Sequence, residues 1–533
     1  MNNTDNIINP DNTADFSESD ENSIIENSDT SSIESENRPV FTLTQKIFAF
    51  IFAVLAFVFV EFVVFRMAGF IATGFYIAVI TSAIVFLKKN NCRFTKINAI
   101  MAVILYLFSI VFSITDNMLI KFLDFVFLFF YGAYFVYSAA EESKETERFL
   151  PFALCKVIFE YPFSNFGMQV LAAKSAVRNS KFTHNLKLII IGLVLAGIPT
   201  IVVAGLLSSA DDNIKNFLNG IFDGILSEDG FTVFLHFILS LPCGLYLYGM
   251  FYGSFRKDRN RLNYENCEAV QNGARFVDNI ILYTAVTPIL ILYVIFFISQ
   301  GSYFLSAFTG SLPDGYSYSE YARKGFFELC AVTVINLFAI IIMSVFAKKG
   351  GKSKSGTMKT YITIISVFTI ILIAVDISKM VMYISEFGLT RLRFYTTWFM
   401  LLCAAIFVLV IVRTFRPEMN IAGKLTGAFV IMFGLLCFSS PDSLIAAYNI
   451  EMYNAGYLEE LDTSLLLDLS ADGILTAYRK GAVSADDIYR YSDVNPYEKM
   501  DIPSIRAGIL IKNLVDIPEI MSESSVKNPS SDS

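Results

Sequence analysis

Long apolar runs recur along almost the whole chain. Each run has about 20 residues, the length that a helix needs to cross roughly 30 Å of hydrocarbon. Because lipid offers the backbone no hydrogen-bond partners, such runs fold as helices. The predicted spans lie at 47–65, 68–87, 97–115, 118–140, 187–207, 231–252, 277–300, 326–346, 360–385, 395–412 and 421–438. The predicted fold class is all-α: a polytopic transmembrane helix bundle of about eleven spans with a small helical C-terminal extracytoplasmic domain.

The composition agrees with lipid as the solvent for most of the chain. Hydrophobic residues make up 54% of it and charged residues 17%, whereas soluble domains carry about a quarter charged residues. The N-terminal stretch is the opposite, acidic and rich in Ser and Asn, so we expect residues 1–45 to be a disordered cytoplasmic tail. The other predicted divisions are a transmembrane helix bundle at 46–439, a helical extracytoplasmic domain at 440–520 and a disordered tail at 521–533.

Lysine and arginine are unevenly distributed between alternate loops. One set of loops holds 24 of them and the other set holds six. Since loops rich in Lys and Arg stay in the cytoplasm, we predict a multi-pass protein of the cell membrane with a cytoplasmic N-terminus and an extracytoplasmic C-terminus. The lipid bilayer is the partner that this pattern predicts, and nothing in the charge distribution indicates nucleic acid.

Ionisable residues inside the predicted spans are informative because a charge at the bilayer centre costs about 2.5–3.5 kcal/mol unless a partner or water relieves it. In the ninth span, Asp376, Lys379, Tyr383 and Glu386 are spaced by three and four residues and form one stripe on a helix. We expect this stripe to face the bundle interior or a water-filled vestibule open to the outside. Two interpretations remain: a structural Asp376–Lys379 pair, or a ligand or proton site.

Other ionisable residues lie nearer the predicted ends of spans. Glu61, Lys121 and Glu328 are within about one helical turn of the interface, a distance over which a side chain can reach water. Asp124 lies too deep for this. His236 also lies in a span, and we interpret it as an ordinary polar residue rather than a catalytic one.

A polar stretch, SYSEYARKGFFEL, precedes the eighth span. Glu320 and Arg323 lie three residues apart on one helical face with Tyr321 beside them, and Glu328 continues into the span. The predicted topology puts this stretch at the outer surface. We therefore include these four residues among the candidates for an outer binding site.

A second polar stretch follows the ninth span. Gly388 permits a sharp turn, and Arg391 and Arg393 then place two cations on the side where positive charge is normally rare. One interpretation is a site where arginines and tyrosines bind an anionic ligand or a lipid headgroup. The other is a polar interface that holds the C-terminal domain on the bundle, with acidic residues of that domain as counterions.

Three stretches carry a resemblance to a known family. They are LPDGYSYSEYARKGFFEL, EFGLTRLRFYTTWFM, and PDSLIAAYNIEMYNAG with the later LDLSADGI. They resemble the bacterial multi-span membrane proteins of domain-of-unknown-function family 4173 and of the closely related family 4153. The resemblance runs from about the fourth span to the C-terminal domain, and it implies an architecture rather than an activity. The third motif departs from the family pattern, because Ser440 and Ala447 stand where Asn and Arg are usual.

The predicted function is to bind or move a small molecule or lipid through an outward-facing polar cavity. The alternative is a non-catalytic membrane sensor or scaffold whose outer helical domain binds a partner. The sequence contains no paired acid and base, metal-ligand spacing or cofactor motif, so no enzyme activity, metal or cofactor is predicted. The candidate binding residues are Asp376, Lys379, Tyr383, Glu386, Arg391, Arg393, Glu320, Tyr321, Arg323 and Glu328.

Overall fold

The structure is a computed structural model. It describes residues 39–90, 92, 94–140, 150–177, 203, 228–255, 264–299, 318–348, 352–484, 486–488 and 499–512. The chain divides into two compact units, Met1–Leu43 and Thr44–Ser533, and the contacts reported below all lie within the second. The predicted disordered tails therefore lie outside the described residues almost entirely.

Helices account for nearly all of the described secondary structure, in which the β-structure is one isolated bridge between Val277 and Ala347. In chain order the helices are α1 (Leu43–Val58, continued by a π-helical turn at Phe59–Val64), α2 (Gly69–Lys89), α3 (Lys96–Ser109), α4 (Val111–Ile114), α5 (Met118–Ala140), α6 (Leu150–Cys155, continued by a π-helical turn at Lys156–Glu160), α7 (Tyr161–Ser164), α8 (Met168–Val177), α9 (Glu228–Phe255), α10 (Tyr264–Ala274), α11 (Asn279–Ser299), α12 (Tyr318–Phe346), α13 (Lys352–Phe387), α14 (Arg391–Phe415), α15 (Ile421–Phe438), α16 (Pro441–Asn454), α17 (Thr463–Leu467), α18 (Ala471–Arg479) and α19 (502–512).

Ten of these segments are long and apolar enough to cross a membrane: α1, α2, α3 with α4, α5, α9 and α11 to α15. They coincide with ten of the predicted spans, so the all-α multi-pass fold class is confirmed. The remaining predicted span, 187–207, lies outside the described residues apart from position 203. Exposed apolar side chains such as Ile291, Leu292 and Ile298 of α11 form the outer surface of the bundle, as expected for contact with lipid.

The bundle interior is packed largely by aromatic side chains. Phe52 of α1 stacks on Phe251 of α9 with ring centroids 4.7 Å apart, and Phe108 of α3 stacks on Phe433 of α15 at 5.6 Å. The segment α6 to α8 packs against α1. There, Gln169 of α8 donates a hydrogen bond to the carbonyl of Ala49 at 2.8 Å. Aromatic pairs of this kind stabilise helix contacts where the hydrophobic effect is weak.

The C-terminal helices have a small core of their own. Ile445, Ile450, Leu466 and Ile474 are buried against one another, and Leu389, between α13 and α14, packs on the same cluster. The proposed boundary of a separate domain at residue 440 remains a prediction, since residues 44–533 form one compact unit. These helices rest on one end of the bundle.

Candidate ligand-binding cavity

Three tight turns between spans lie where the C-terminal helices meet the bundle. They are the turns at Met67, at 115–117 and at 388–390, and we call this region the junction. All three non-glycine residues with a positive φ in the described part of the chain, Met67, Ser440 and Met500, belong to it. Because such backbone conformations persist only where the surroundings hold them, the junction is a tightly determined part of the structure.

Asp442, at the start of α16, links two spans to the C-terminal helices. Its carboxylate accepts two hydrogen bonds from Arg391, at 3.0 and 2.8 Å, and one each from the Asn117 amide and the Ser470 backbone N–H, both at 3.0 Å. The Asn117 amide also donates to the Tyr395 hydroxyl at 2.9 Å. Burial alone raises the pKa of the Asp442 carboxyl, but the hydrogen bonds from Arg391 and Ser470 hold it below its ordinary value. Asp442 therefore stays ionised as the anchor of α16.

Lys121 of α5 reaches the last described segment of the chain. Its Nζ lies 2.7 Å from Asp501 Oδ2 and 3.4 Å from the carbonyl of Met67, and both side chains of the ion pair are almost completely buried. The other oxygen of Asp501 accepts a hydrogen bond from the Ser504 N–H at 2.9 Å, which caps the start of α19. One carboxylate thus both neutralises a buried lysine and starts a helix.

Gly69 lets the backbone at 500–501 approach the start of α2. A Cβ at this position would lie 2.7 Å from the carbonyl oxygens of Met500 and Phe112 and 2.8 Å from the Cβ of Asp501. The N–H of Phe70 donates to the Met500 carbonyl at 3.0 Å. The contact is a close backbone approach that only glycine permits without a shift.

The turn between α13 and α14 is held by Asn449 of α16. The Asn449 amide accepts a hydrogen bond from the N–H of Leu389 at 2.6 Å and donates one to its carbonyl at 2.8 Å. Gly388 turns the chain with a φ of 73°. The two bonds satisfy both polar groups of a turn residue that would otherwise be left without partners.

The junction contains more carboxylates than paired cations. Among the described residues, three buried carboxylates of the junction form ion pairs: Asp116 with Lys499, Asp442 with Arg391, and Asp501 with Lys121. A further carboxyl, that of Asp472 in α18, has one buried oxygen without a hydrogen-bond partner in the described part of the chain. Burial, followed by the charges of Asp501, Asp116 and Asp442, raises the pKa of Asp472 to about 7. Asp472 is therefore the junction carboxyl that titrates near neutral pH.

A cavity of about 760 Å³ opens between α5, α14 and the C-terminal helices, and we call it the junction cavity. Its polar wall carries Asp116, Asn117, Arg391, Ser470 and Lys499, among others. Its apolar wall is built from Met118, Leu119, Leu392, Leu467, Leu469 and Ile474. The volume lies within the range of small-molecule sites, about 300–1,000 Å³. A ligand with one polar and one apolar part fits this division.

The family to which the chain belongs follows from a match over most of its length. The family model described as a domain of unknown function (DUF4153) matches residues 100–479. The chain belongs to this family. Of the two related families that the sequence motifs resemble, the match supports 4153 and gives no support to 4173. No curated protein and no solved structure matches the chain.

The region that matches the DUF4153 family contains most, but not all, of the junction residues. Asn117, Lys121, Arg391 and Asp442 lie inside the matched region, whereas Asp501 lies beyond its end at residue 479. The junction cavity is therefore formed mainly by the family region. The ion pair in the cavity wall, Asp116–Lys499, includes one residue outside that region, Lys499.

One of the ten predicted binding residues, Arg391, lines the junction cavity. Asp376 and Lys379 form a buried ion pair at 3.0 Å within α13, away from the cavity. Arg393 does not bind an acidic residue of α16 to α18, as its predicted role at a docking interface required. Its guanidinium instead lies 3.8 Å from the ring centroid of Tyr383 and donates to the carbonyls of residues 387 and 388.

The other predicted binding residues are not brought together by the structure. Glu328 and Glu386 are exposed. The side chains of Glu320, Tyr321 and Arg323 lie outside the described residues. Their roles in binding therefore stay predictions.

Two charged residues that lie close enough to the predicted ends of their spans to reach water are buried instead. Lys121 pairs with Asp501, as described above. Glu61 lies in the π-helical turn of α1, where its carboxylate contacts His236 Nδ1 at 2.6 Å and also accepts a hydrogen bond from Arg66. Phe65 stacks on the His236 ring with centroids 4.0 Å apart. Both residues obtain partners from distant segments, so they do not need to extend toward water.

The sequence missed most of the polar wall of the cavity. Asp116, Asn117 and Lys499 stand in short polar stretches whose spacing carries no recognisable pattern. Among the described residues, no group of three or more His, Cys, Asp or Glu side chains converges as a metal site requires. The chemistry that the described cavity offers is hydrogen bonding and charge pairing.

Proposed function

We propose that this DUF4153 protein binds an amphipathic small molecule or lipid in the junction cavity and does not catalyse a reaction on it. The observation that supports this most directly is the division of the cavity into a polar and an apolar wall. Met118, Leu119 and Leu392 are 62%, 45% and 73% exposed and stand in the first turns of α5 and α14. An acyl or alkyl chain on these residues would continue along the apolar surface of the spans, while its polar end reaches the junction.

The charges of the cavity favour a zwitterionic polar group. Four charged residues line it, two acids and two bases. Lys499 lies 3.1 Å from Asp116, and Arg391 lies 3.8 Å from the exposed Asp468. Since each base already faces an acid, an anion would meet repulsion along with attraction. A zwitterionic ligand can instead offer its negative group to a base of the cavity and its positive group to an acid.

We also propose that the cavity opens on the extracytoplasmic side. The support is the distribution of Lys and Arg, with 24 in the loops of the opposite side and six on the side of the junction. A ligand would then come from the outer leaflet or from outside the cell. Single cysteines at Ser311 and Ser353 test this in intact cells with an impermeant thiol reagent. We expect the cysteine at position 311 to react and the cysteine at position 353 not to react. Equal reaction at the two positions would contradict the proposed orientation.

Lipid binding is tested with purified protein and two defined lipids. Native mass spectrometry is run with phosphatidylethanolamine, which is zwitterionic, and with phosphatidylglycerol, which is anionic. We expect the zwitterionic lipid to bind at least several-fold more tightly. Ser464→Trp should abolish that preference, because Ser464 lines the cavity and an indole there occupies the space of the ligand. The matched control is Thr463→Trp, since Thr463 is the neighbouring exposed residue of α17 and does not line the cavity.

Two outcomes would contradict lipid binding at this site. One is equal loss of binding in the Ser464→Trp and Thr463→Trp variants. The other is retention of the bound lipid when Ser464 is replaced. Movement of the ligand is a further question, which counter-flow of the same labelled lipid in proteoliposomes answers.

The alternative function, a sensor or scaffold that binds a partner, is favoured by a different observation. Leu444, Tyr453 and Tyr457 of α16 and the following turn are exposed apolar or aromatic residues on the C-terminal helices. Such residues are common at protein interfaces. Replacing Tyr457 by Ser should then abolish partner binding while lipid binding in the cavity stays intact. If the Tyr457 variant instead loses the bound lipid, the exposed ring contributes to lipid binding rather than to partner binding.

A further inference from the structure

Asp124 of α5 is a buried carboxyl for which the described part of the chain provides no partner. Its side chain has no solvent exposure, and neither of its oxygens has a hydrogen-bond partner among the described residues. It follows Met118, the first residue of α5, by six positions, which places it about 9 Å along the helix from that end. An ionised carboxylate with no donor at this depth is strongly unfavourable, whereas a neutral acid is far less so.

Lys121 stands one turn from Asp124 on the same helix. Residues three apart on a helix are neighbours, so the Lys121 side chain is within reach of this carboxyl. Its Nζ nevertheless binds Asp501 at 2.7 Å. The same separation, in the opposite order, joins Asp376 to Lys379 at 3.0 Å in α13. The spacing thus permits an ion pair that α5 does not form in this structure.

The other described groups around Asp124 provide no positive charge. The titratable side chains of neighbouring spans that interact with it electrostatically are the phenol of Tyr76 in α2 and the thiol of Cys437 in α15. Both are neutral or negative at every pH. The other two ion-paired cations of the junction are held by carboxylates of their own. Lys121 is therefore the cation that an ionised Asp124 would recruit among the described residues.

We propose that Asp124 is a proton-binding site inside the membrane, and that Lys121 binds Asp501 or Asp124 according to whether Asp124 holds its proton. When Asp124 is protonated, Lys121 stays with Asp501 and the segment 499–512 remains docked, as in this structure. When Asp124 releases its proton to water at the junction, it becomes a second carboxylate that competes for Lys121. Docking of the segment then weakens, because Asp501 loses the cation that neutralises it.

Protonation of Asp124 is tested with dicyclohexylcarbodiimide, an apolar reagent that reacts with buried protonated carboxyls. The O–H of the acid adds across one C=N bond of the reagent, and rearrangement gives a stable N-acylurea that peptide mass spectrometry locates. We expect labelling of Asp124 in the purified full-length protein, decreasing as the pH rises. Asp376 is the internal control, since its ion pair with Lys379 should leave it poorly labelled. Labelling of Asp124 no greater than that of Asp376 at every pH would overturn the proton site.

The exchange of Lys121 is tested with Asp501→Asn, which removes the present partner. Lys121 should then pair with Asp124, and labelling of Asp124 should fall several-fold. Asp468→Asn is the matched control, because Asp468 is 89% exposed and belongs to the same C-terminal helices. Unchanged labelling of Asp124 in the Asp501 variant would exclude the exchange.

A second variant keeps the test decisive if Asp501→Asn does not fold. Asp124→Asn has the same shape as the protonated acid and cannot ionise. Hydrogen exchange of the segment 499–512 should speed up with pH in the wild type by several-fold more than in this variant. Identical pH dependence in the two proteins would show that Asp124 does not control docking.

Discussion

Two lysines buried in the bundle obtain their counter-charge in different ways. Lys379 pairs at 3.0 Å with Asp376, which stands three residues earlier in the same helix. Lys121 pairs at 2.7 Å with Asp501, which is 380 positions away and outside the spans. The first pair forms whenever α13 is helical. The second forms only when the C-terminal segment has docked, so it connects the state of that segment to the bundle.

The difference also matters during synthesis and insertion. Lys379 enters the membrane together with its partner, which lowers the cost of insertion at once. Lys121 enters with α5 long before residue 501 has been made. Until then the acid within one turn of it is Asp124, the residue whose proton we infer to decide between the two partners. A local pair therefore suits insertion, whereas a distant pair suits the control of docking.

The largest effect is expected from Asp501→Ala, which breaks the distant pair. The change leaves the buried Lys121 cation without its partner and removes the N-cap of α19. We therefore expect a loss of about 3–5 kcal/mol of stability. Thermal unfolding of the detergent-solubilised protein and hydrogen exchange of residues 499–512 measure it. Asp468→Ala, at an exposed carboxylate, should cost less than about 1 kcal/mol. Equal effects of the two changes would show that the distant pair does not hold the segment.

The local pair is tested by a double-mutant cycle. Asp376→Asn and Lys379→Met should each lower stability by about 2.5–3.5 kcal/mol, because each leaves one buried charge unpaired. The double variant should lose less than either single variant, since it leaves no charge behind. Thermal unfolding of the three variants measures the coupling. Strictly additive losses would mean that the two groups act independently and that α13 contains no functional pair.

The contrast also explains which parts of the molecule the sequence could predict. Apolar runs and helical periodicity are local properties, so ten spans and the neighbouring positions of Asp376 and Lys379 were predicted correctly. The contact of Arg391 with Asp442 was also expected, because a cation on the positive-poor side needs a counterion and α16 starts directly after a span. Arg393 lies on the ring of Tyr383 and at the end of α13 rather than against an acidic residue of α16 to α18, and its role in ligand binding stays a prediction.

The junction depends on contacts between segments that lie far apart in the chain. Asp116 and Lys499 are 383 positions apart, and neither lies in a periodic pattern that marks it as a partner. Lys121 was placed near the interface because its depth in the span is readable, whereas Asp501 as its partner is not. Hydropathy and spacing therefore predict the helices but not the wall of the cavity between them.

Gly69→Ala weakens the docked segment without touching any charge. The added methyl group would meet the Met500 carbonyl at 2.7 Å, so the backbone must shift at a cost of about 1–3 kcal/mol. Gly74→Ala is the matched control in the same helix, because a Cβ there has no atom within 4 Å. Hydrogen exchange of residues 499–512 should rise in the first variant only. If both variants behave like the wild type, the close approach is not needed for the Lys121–Asp501 pair.

The smallest effect is expected from Asp472, a carboxyl that lies near the Lys121–Asp501 pair. Burial and the charges of Asp501, Asp116 and Asp442 raise the pKa of Asp472 to about 7, while Arg506 acts in the opposite direction. Because the folded state holds this proton more tightly than the unfolded state, the associated stability is complete below about pH 4 and is lost as the pH rises to about 7.

Asp472→Asn should therefore stabilise the protein at pH 8 by about 1 kcal/mol, less than the full pKa shift implies because the side chain is partly exposed. At pH 4 the variant and the wild type should unfold at similar temperatures. Asp462→Asn is the control of opposite sign, since hydrogen bonds from Ser464 and the Leu465 N–H lower the pKa of Asp462 and its contribution is lost as the pH falls. Repeating the comparison in an Asp124→Asn background removes the proton site of α5. If Asp472→Asn gives no gain at pH 8 in either background, Asp472 does not contribute to the pH dependence of the junction.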